Sequence, residues 1–382
     1  MTIAAVDTGQ TEHGWNVRRA IGISCIAFAV SRVIALGAIA IAASVRGDPL
    51  STALRVWDGD WYLSIAEGYT DVPPDPTRPW QSNIAFFPVY PLSIRLIEGV
   101  TGLSTVTAAI VTTLAYSVGL AILLGMLAQR VLDEPTGRRF AWAFWLFPGT
   151  ALLSMLYAEV ASLAWTALCL YLLLQRRWVL AGVAAALASA SRPTGAIVIL
   201  CCVWVAIEET RKARGAGAWL APAIGVLGPL AYLGFLWAKT GDALIWFRTQ
   251  RQGWNASLDL GQSAAKDVVD FLRDPLGINA AHALQVFGLG AAVLGVIFLL
   301  LWQSGRPPVL VFYALVTLAV PFITRTGSAD GVRPRFVVVA FPLFMAFAAR
   351  VHGVAFTSVM LVSAGLLAAT AVIYTTPLWV IP

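Results

Sequence analysis

Residues 20–45 read AIGISCIAFAVSRVIALGAIAIAASV. The only charged residue of this stretch is Arg32, and its apolar residues run on without alternating with polar ones. A helix needs about 20 apolar residues to cross a bilayer, whereas a membrane strand shows alternating hydropathy over about 10. The stretch therefore reads as a transmembrane helix. The rest of the 382-residue chain has the same character, being 59% hydrophobic and 12% charged with a mean hydropathy of +0.77. Soluble domains carry about 25% charged residues. The expected fold class is an all-α polytopic membrane protein, with one integral domain over 1–382. The first 17 residues are polar and the run after them is too long for a signal peptide, so the N-terminus is expected to be retained.

The net charge of +6 marks loops rather than a nucleic-acid surface, because excess Arg and Lys gathers in cytoplasmic loops. Arg18 and Arg19 place the N-terminus in the cytoplasm. Arg130, Arg138 and Arg139, QRRW (175–178), TRKAR (210–214), Arg306 and Arg350 mark further cytoplasmic turns. Between them, spans are expected near 104–129, 140–156, 160–175, 218–238, 281–302, 308–323, 335–349 and 353–374. The run 179–207 carries Arg192-Pro193 at its centre. Proline breaks a helix, and arginine at the bilayer centre costs about 2.5–3.5 kcal/mol on insertion scales. Two short spans turning at SRPTG (191–195) remove that cost, giving about 11 spans in all, within 10–12.

The acidic segment 46–83 then falls outside, with Asp48, Asp58, Asp60, Glu67, Asp71 and Asp75. Together with NIAFFPVYPLSIRL (83–96) it forms a first external loop with interfacial helices over 46–103. PPDPTRPW (73–80) within it is expected to be irregular. A second large external loop covers 239–280. Asp58, Asp60, Glu159, Arg192, Asp242, Gln250, Arg251, Arg325, Arg333 and Arg335 all reach this outer side.

VWDGDWYLSIAEGYT (56–70) is the densest motif. In a helix over 58–67, Asp58 shares a face with Tyr62, and Asp60 with Ser64. Trp57, Trp61 and Tyr62 suit a helix lying in the headgroup zone. Acids at a membrane edge are functional by default, which makes Asp58, with Asp60 second, a candidate general base. The plain alternative is an interfacial helix whose carboxylates face water. Arg192, and Arg325, Arg333 and Arg335 of TRTGSADGVRPRF (324–336), are candidates for a lipid phosphate, which guanidinium matches bidentately. The alternatives are a kink with a snorkelling arginine and simple binding of anionic phospholipid. Arg32 is expected to pair with a loop carboxylate. In IWFRTQRQGWN (245–255), Gln250 and Trp254 suit sugar contacts or an ordinary aromatic belt. His13, His282 and His352 form no cluster, and Cys25, Cys169, Cys201 and Cys202 lie in apolar runs, so no metal or other cofactor is expected.

Trp57, Asp58, Tyr62, Ile65, Ala66, Gly68 and Tyr69, followed by Ala85, Phe86, Phe87, Pro88, Tyr90 and Pro91, resemble the paired motifs of the GPI mannosyltransferase II (PIG-V-like) family of GT-C membrane glycosyltransferases. SMLYAE (154–159), SRPTG (191–195), FRTQRQGW and Pro334-Arg335-Phe336 resemble further elements of that family in order. Arginine bias, with only Lys212, Lys239 and Lys266 as lysines, points to a bacterial, actinobacterial-type member. The resemblance implies a mannosyltransferase of the plasma membrane with its site facing outside. Its donor would be polyprenyl-phosphate-mannose and its acceptor a lipid or glycan, with membrane lipids as surroundings and no nucleic acid. Asp58 would be the base of an inverting transfer, and Arg192, Arg325, Arg333 and Arg335 would meet the phosphate. Trp57, Tyr62, Tyr90, Glu159, Gln250 and Trp254 would line the sugar and acceptor. The rival reading is a lipid-linked sugar flippase, or a related enzyme using another polyprenyl-phosphate sugar.

Overall fold

The structure, a computed structural model, describes residues 15–69, 80–275, 277, 279–302, 305–325 and 333–376, with only the backbone of Arg325. His13, Asp71, Asp75, nearly all of PPDPTRPW and TGSADGV (326–332) lie outside the described residues.

α1 (Val17–Arg46) begins where the Asn16 side chain accepts the Arg18 amide and stops where Gly47 turns left-handed at φ 75°. The first loop holds α2 (Leu50–Leu54), α3 (Gly59–Glu67), a 3-10 turn at Asn83–Ala85 and α4 (Val89–Thr101). Next come α5 (Thr105–Val131), α6 (Glu134–Trp145), a 3-10 segment at Pro148–Ser154 and α7 (Glu159–Leu174). α8 (Trp178–Ser189), a 3-10 turn at Pro193–Ala196 and α9 (Ile197–Arg211) make up the broken run. A turn at Ala216–Trp219 leads into α10 (Leu220–Gly225) and α11 (Leu227–Thr240). The second loop contains α12 (Ile245–Gly253), β1 (Ser257–Leu258) and α13 (Gln262–Arg273). The chain continues as α14 (Ala280–Leu301), α15 (Pro308–Ile323), β2 (Thr324–Arg325), α16 (Pro334–Val339), α17 (Pro342–Arg350) and α18 (Gly353–Thr375).

The chain is thus an all-α polytopic membrane protein. Among the described residues, six helical stretches are long and apolar enough to cross a bilayer: 17–46, 105–131, 193–211, 216–240, 280–301 and 353–375. A seventh arises if Pro148–Ser154 and α7, bent by 106°, count as one span. Two expected spans take another form. The run 140–156 leaves its helix at Trp145 and continues as 3-10 turns from Pro148, and 335–349 divides into α16 and α17 before Pro342. Proline lacks the amide that would continue a helix but suits the first turn of a new one. α8 and α15 are apolar but shorter than a full span.

Irregular backbone inside an apolar core needs internal hydrogen-bond partners, and Arg32 supplies them. Its guanidinium donates to the Thr150 carbonyl (2.9 Å), the Thr150 hydroxyl (3.2 Å) and the Ser154 hydroxyl (2.5 Å), and it faces the Phe28 and Trp145 rings. The expected carboxylate partner is replaced by this uncharged cradle. α1 lies close along α5 because Gly125 carries no side chain: a Cβ there would come within 2.8 Å of the Ile21 Cα.

Contacts sort the helix ends into two sets. Arg19 meets Glu134 (3.0 Å), Arg139 donates to the Ala348 carbonyl (2.8 Å), Arg350 to that of Leu301, and Arg176 pairs with Glu209. These join the basic turns at one end. At the other, the Val89 amide donates to the Ala190 carbonyl (3.1 Å) and the Tyr232 hydroxyl to that of Phe86 (3.1 Å). There β1 pairs antiparallel with β2, setting Ser257 opposite Arg325 and Leu258 opposite Thr324, so the second loop is stitched to the segment ahead of Arg333.

Candidate functional site

Beyond α2 the chain makes a tight turn in which Trp57 is left-handed, at φ 62°. For a bulky residue this costs on the order of 1–3 kcal/mol and is found where the surroundings enforce it. Here the Trp57 indole donates to the Tyr374 carbonyl (3.1 Å). The turn brings Asp58 to the cap of α3, where its amide donates to the Tyr157 hydroxyl (3.0 Å). The half-buried Asp58 carboxylate accepts no hydrogen bond among the described residues. Burial raises its pKa above 3.8; Arg335 pulls it down, Glu159 pushes it up, and Arg192 pulls it down.

Glu159 opens α7 and is 5% exposed. Arg192 Nη1 stands 2.7 Å from its Oε2, close enough for an ion pair but too far off axis for a hydrogen bond, and Arg335 Nη1 stands 4.0 Å from its Oε1. Arg335 also lies over the Phe336 ring at 4.8 Å, with its Nε unpartnered among the described residues. Arg333 is buried at the head of α16. Arg192 is delivered by the break: it is extended (φ −158°) between α8 and the next turn. That turn folds against α8 because Gly195 has no side chain. A Cβ there would come within 2.5 Å of the Ala188 carbonyl carbon and 3.0 Å of the Ser162 hydroxyl.

An aromatic wall adjoins this cluster. Tyr62, expected in the headgroup zone, is 2% exposed, with its ring edge-on to Phe86 (5.3 Å), Tyr90 (5.3 Å) and Tyr157 (6.3 Å). α3 is amphipathic, and what meets its Tyr62 face is the packed AFFP turn rather than lipid. The Tyr90 hydroxyl pairs with that of Thr113 (2.7 Å). Trp61 stacks on Phe86 (5.6 Å), and Trp254 meets Trp61 and Phe86 edge-on (5.7 and 5.5 Å). The Gln250 amide donates to the Ala85 carbonyl (3.2 Å), beside the Trp246 indole (2.9 Å), so it holds the first loop to the second.

The structure thus brings Asp58, Glu159, Arg192 and Arg335 into one electrostatic cluster with Tyr62 and Tyr157. Asp60 is elsewhere, exposed and paired with Arg55 at 2.6 Å. The Arg325 side chain lies outside the described residues. Tyr157 and Tyr374 are additions. Tyr157 stands inside the SMLYAE stretch, whereas nothing in the sequence singles out Tyr374, whose buried hydroxyl has no hydrogen-bond partner among the described residues.

Beside the cluster runs a groove of about 630 Å³ between α4, the end of α8 and α11. Leu92, Leu187, Leu227 and Phe235 make it apolar, Arg95 and Lys239 bring two cations to it, and Ala190 in its wall is two residues from Arg192. Among the described residues no group of three His, Cys, Asp or Glu is placed to hold a metal ion.

No protein-family model matches the chain, and no curated protein matches its sequence. Among solved structures it is similar to the Archaeoglobus fulgidus oligosaccharyltransferase. The apo form aligns at a TM-score of 0.44 and 12% identity over 89% of this chain and 56% of that one. The form tethered to an acceptor peptide with an NVT sequon aligns at 0.43 and 14%, over 89% and 55%. The AglB complex with an inhibitory peptide and a dolichol-phosphate aligns at 0.43 and 11%, over 94% and 55%. The chain spans about half the length of these proteins, and at such TM-scores the likeness carries no argument about chemistry.

Proposed function

We propose that this chain is a GT-C-type glycosyltransferase that moves mannose from polyprenyl-phosphate-mannose to a hydroxyl of a lipid or glycan acceptor. The observation that carries the reading is a half-buried carboxylate, Asp58, that accepts no hydrogen bond among the described residues and lies within the electrostatic reach of Arg192 and Arg335 beside an apolar groove. A carboxylate with free lone pairs and a raised pKa is a general base. Asp58 takes the proton of the acceptor hydroxyl as that oxygen attacks C1 of the mannose. The bond from C1 to the phosphate oxygen breaks with inversion, and the departing lipid phosphate gains charge where Arg192 and Arg335 stabilise it. The isoprenoid lies along the groove. Trp61 and Trp254, half-buried beside Phe86, are aromatic rings of the kind on which a sugar stacks, whereas Tyr62 and Tyr90 are buried and support them through Phe86. On the positive-inside rule, the basic end carrying Arg19, Arg139 and Arg350 is cytoplasmic, which puts the cluster on the outer face of the plasma membrane.

The test is a paired assay on the whole protein in nanodiscs with labelled polyprenyl-phosphate-mannose and a total lipid extract. Wild type is expected to move label to a new product, and Asp58→Asn to lose at least a hundredfold of that rate while folding normally. Transfer surviving in Asp58→Asn refutes the assigned base. Label that crosses the bilayer in proteoliposomes without forming product refutes the enzyme and favours a flippase.

A further inference from the structure

The family resemblance implies a sugar contact for Glu159, but its surroundings give it another task. Both carboxylate oxygens face cations: Arg192 Nη1 is 2.7 Å from one and Arg335 Nη1 is 4.0 Å from the other, and the side chain is 5% exposed. The two arginines come from separate elements, one from the break after α8 and the other from α16. Two guanidinium groups this close repel one another, and in a site shielded from water that repulsion is weakly screened. A carboxylate between them is the simplest device that holds both.

We infer that Glu159 is a positioning residue, a fixed anion that spaces Arg192 and Arg335 for the leaving phosphate and keeps both from collapsing onto Asp58. The inference rests on the proposed transfer reaction for its consequence in rate, but not for its electrostatics. Asp58 is faced by Tyr157 and Glu159 from the α7 junction, Tyr62 from α3, Arg192 from the break and Arg335 from α16, while Tyr374 from α18 faces Arg335, Arg333 and Glu159; Asp60 and Arg55 belong to the segment of Asp58 itself. Of the charged groups, Arg335 and Arg192 lower the Asp58 pKa and Glu159 raises it. Removing the Glu159 charge therefore lowers that pKa, and the freed arginines reinforce the change. A group that merely fills space leaves it unmoved.

The experiment labels Asp58 in the full chain with dicyclohexylcarbodiimide, which attacks the protonated carboxyl, and reads modification by peptide mass from pH 4 to 9. In Glu159→Gln the labelling midpoint is expected to move to lower pH, and in Arg335→Gln to higher pH. Opposite shifts from neighbouring neutral substitutions do not arise from general loosening. In the transfer assay Glu159→Gln is expected to lose at least tenfold in kcat with the donor KM unchanged or lower. Midpoints that stay put in both variants overturn the inference, as does a raised donor KM at unchanged kcat, the mark of a direct sugar contact. If Glu159→Gln fails to fold, Arg335→Gln carries the labelling test alone, and an unmoved midpoint there overturns the inference. Absence of transfer in wild type sinks the proposed function but leaves the labelling result standing.

Discussion

Replacing Gly195 with alanine tests the whole arrangement without touching a charged group. The new Cβ would come within 2.5 Å of the Ala188 carbonyl carbon, whereas ordinary contact begins at 3.4 Å. Both obstacles nearby, the Ala188 carbonyl, whose oxygen is nearer still, and the Ser162 hydroxyl, belong to packed helices, so the turn and α8 must part by at least about 1 Å. Arg192 sits three residues before Gly195 and shares that displacement. If its gap to Glu159 widens from 2.7 Å by that amount, Coulomb attraction at an effective dielectric constant of about 20 falls from about 6 to about 4.5 kcal/mol. Were that loss felt wholly in the transition state, the rate would fall about tenfold or slightly more. Overpacking itself costs about 1–3 kcal/mol of stability. Transfer rate and melting temperature in the same nanodiscs measure both effects. Gly234→Ala, where a Cβ meets nothing within 4 Å, is the matched control and should match wild type. A Gly195→Ala enzyme equal to wild type in both measurements would show that the turn does not set the position of Arg192.

Four further outcomes follow from the geometry. Asp60→Asn removes an exposed pair with Arg55, so transfer should stay within about twofold and stability within about 1 kcal/mol, in contrast to Asp58→Asn. Because the folded chain holds the Asp58 carboxyl at a raised pKa, it binds that proton more tightly than the unfolded chain does, so stability falls as pH rises from 3.8 through the raised value. Asp58→Asn should therefore melt no lower than wild type at pH 7, and a lower melting temperature there would contradict the burial. Tyr157→Phe deletes the acceptor of the Asp58 amide and should cost about 0.5–1.5 kcal/mol and less than tenfold in kcat, read by melting and by transfer at saturating donor. Arg32→Met leaves the Thr150 carbonyl and the Ser154 hydroxyl without their donor and should cost about 1–3 kcal/mol in a thermal melt at unchanged donor KM.

Much of the cluster was legible because membrane chains make polar residues conspicuous. Asp58, Glu159, Arg192 and Arg335 are scattered along the chain, yet each interrupts an apolar or aromatic run, and the basic turns alone send all four to one side. The break at SRPTG was legible for the same reason, since proline and arginine together cannot continue a buried helix. What the sequence withheld depends on partner choice. An arginine inside a span signals a partner, but only the fold shows that Arg32 meets Thr150 and Ser154 rather than a carboxylate. Tyr62 and Gln250 show the other limit: amphipathic spacing marks a face without saying whether lipid, sugar or protein covers it. The breaks within the expected spans at 140–156 and 335–349 were not legible because an apolar run is the same whether it continues as one helix or bends within a bundle.

The bond between Arg32 and Thr150 also sets an order of events during biogenesis. The two residues are 118 positions apart, and at a synthesis rate of 5–20 residues per second α1 emerges about 6–24 s before its acceptor exists. For that interval a guanidinium must reside at the membrane without the cradle that later satisfies it, at a cost of about 2.5–3.5 kcal/mol. The lipid-facing residues of α1, such as Ile26, Val33 and Ile41, which are 58–75% exposed in the finished molecule, supply the hydrophobicity that keeps the segment inserted meanwhile. Polar substitutions at these positions touch little of the folded core, and their damage falls on the nascent chain at the translocon.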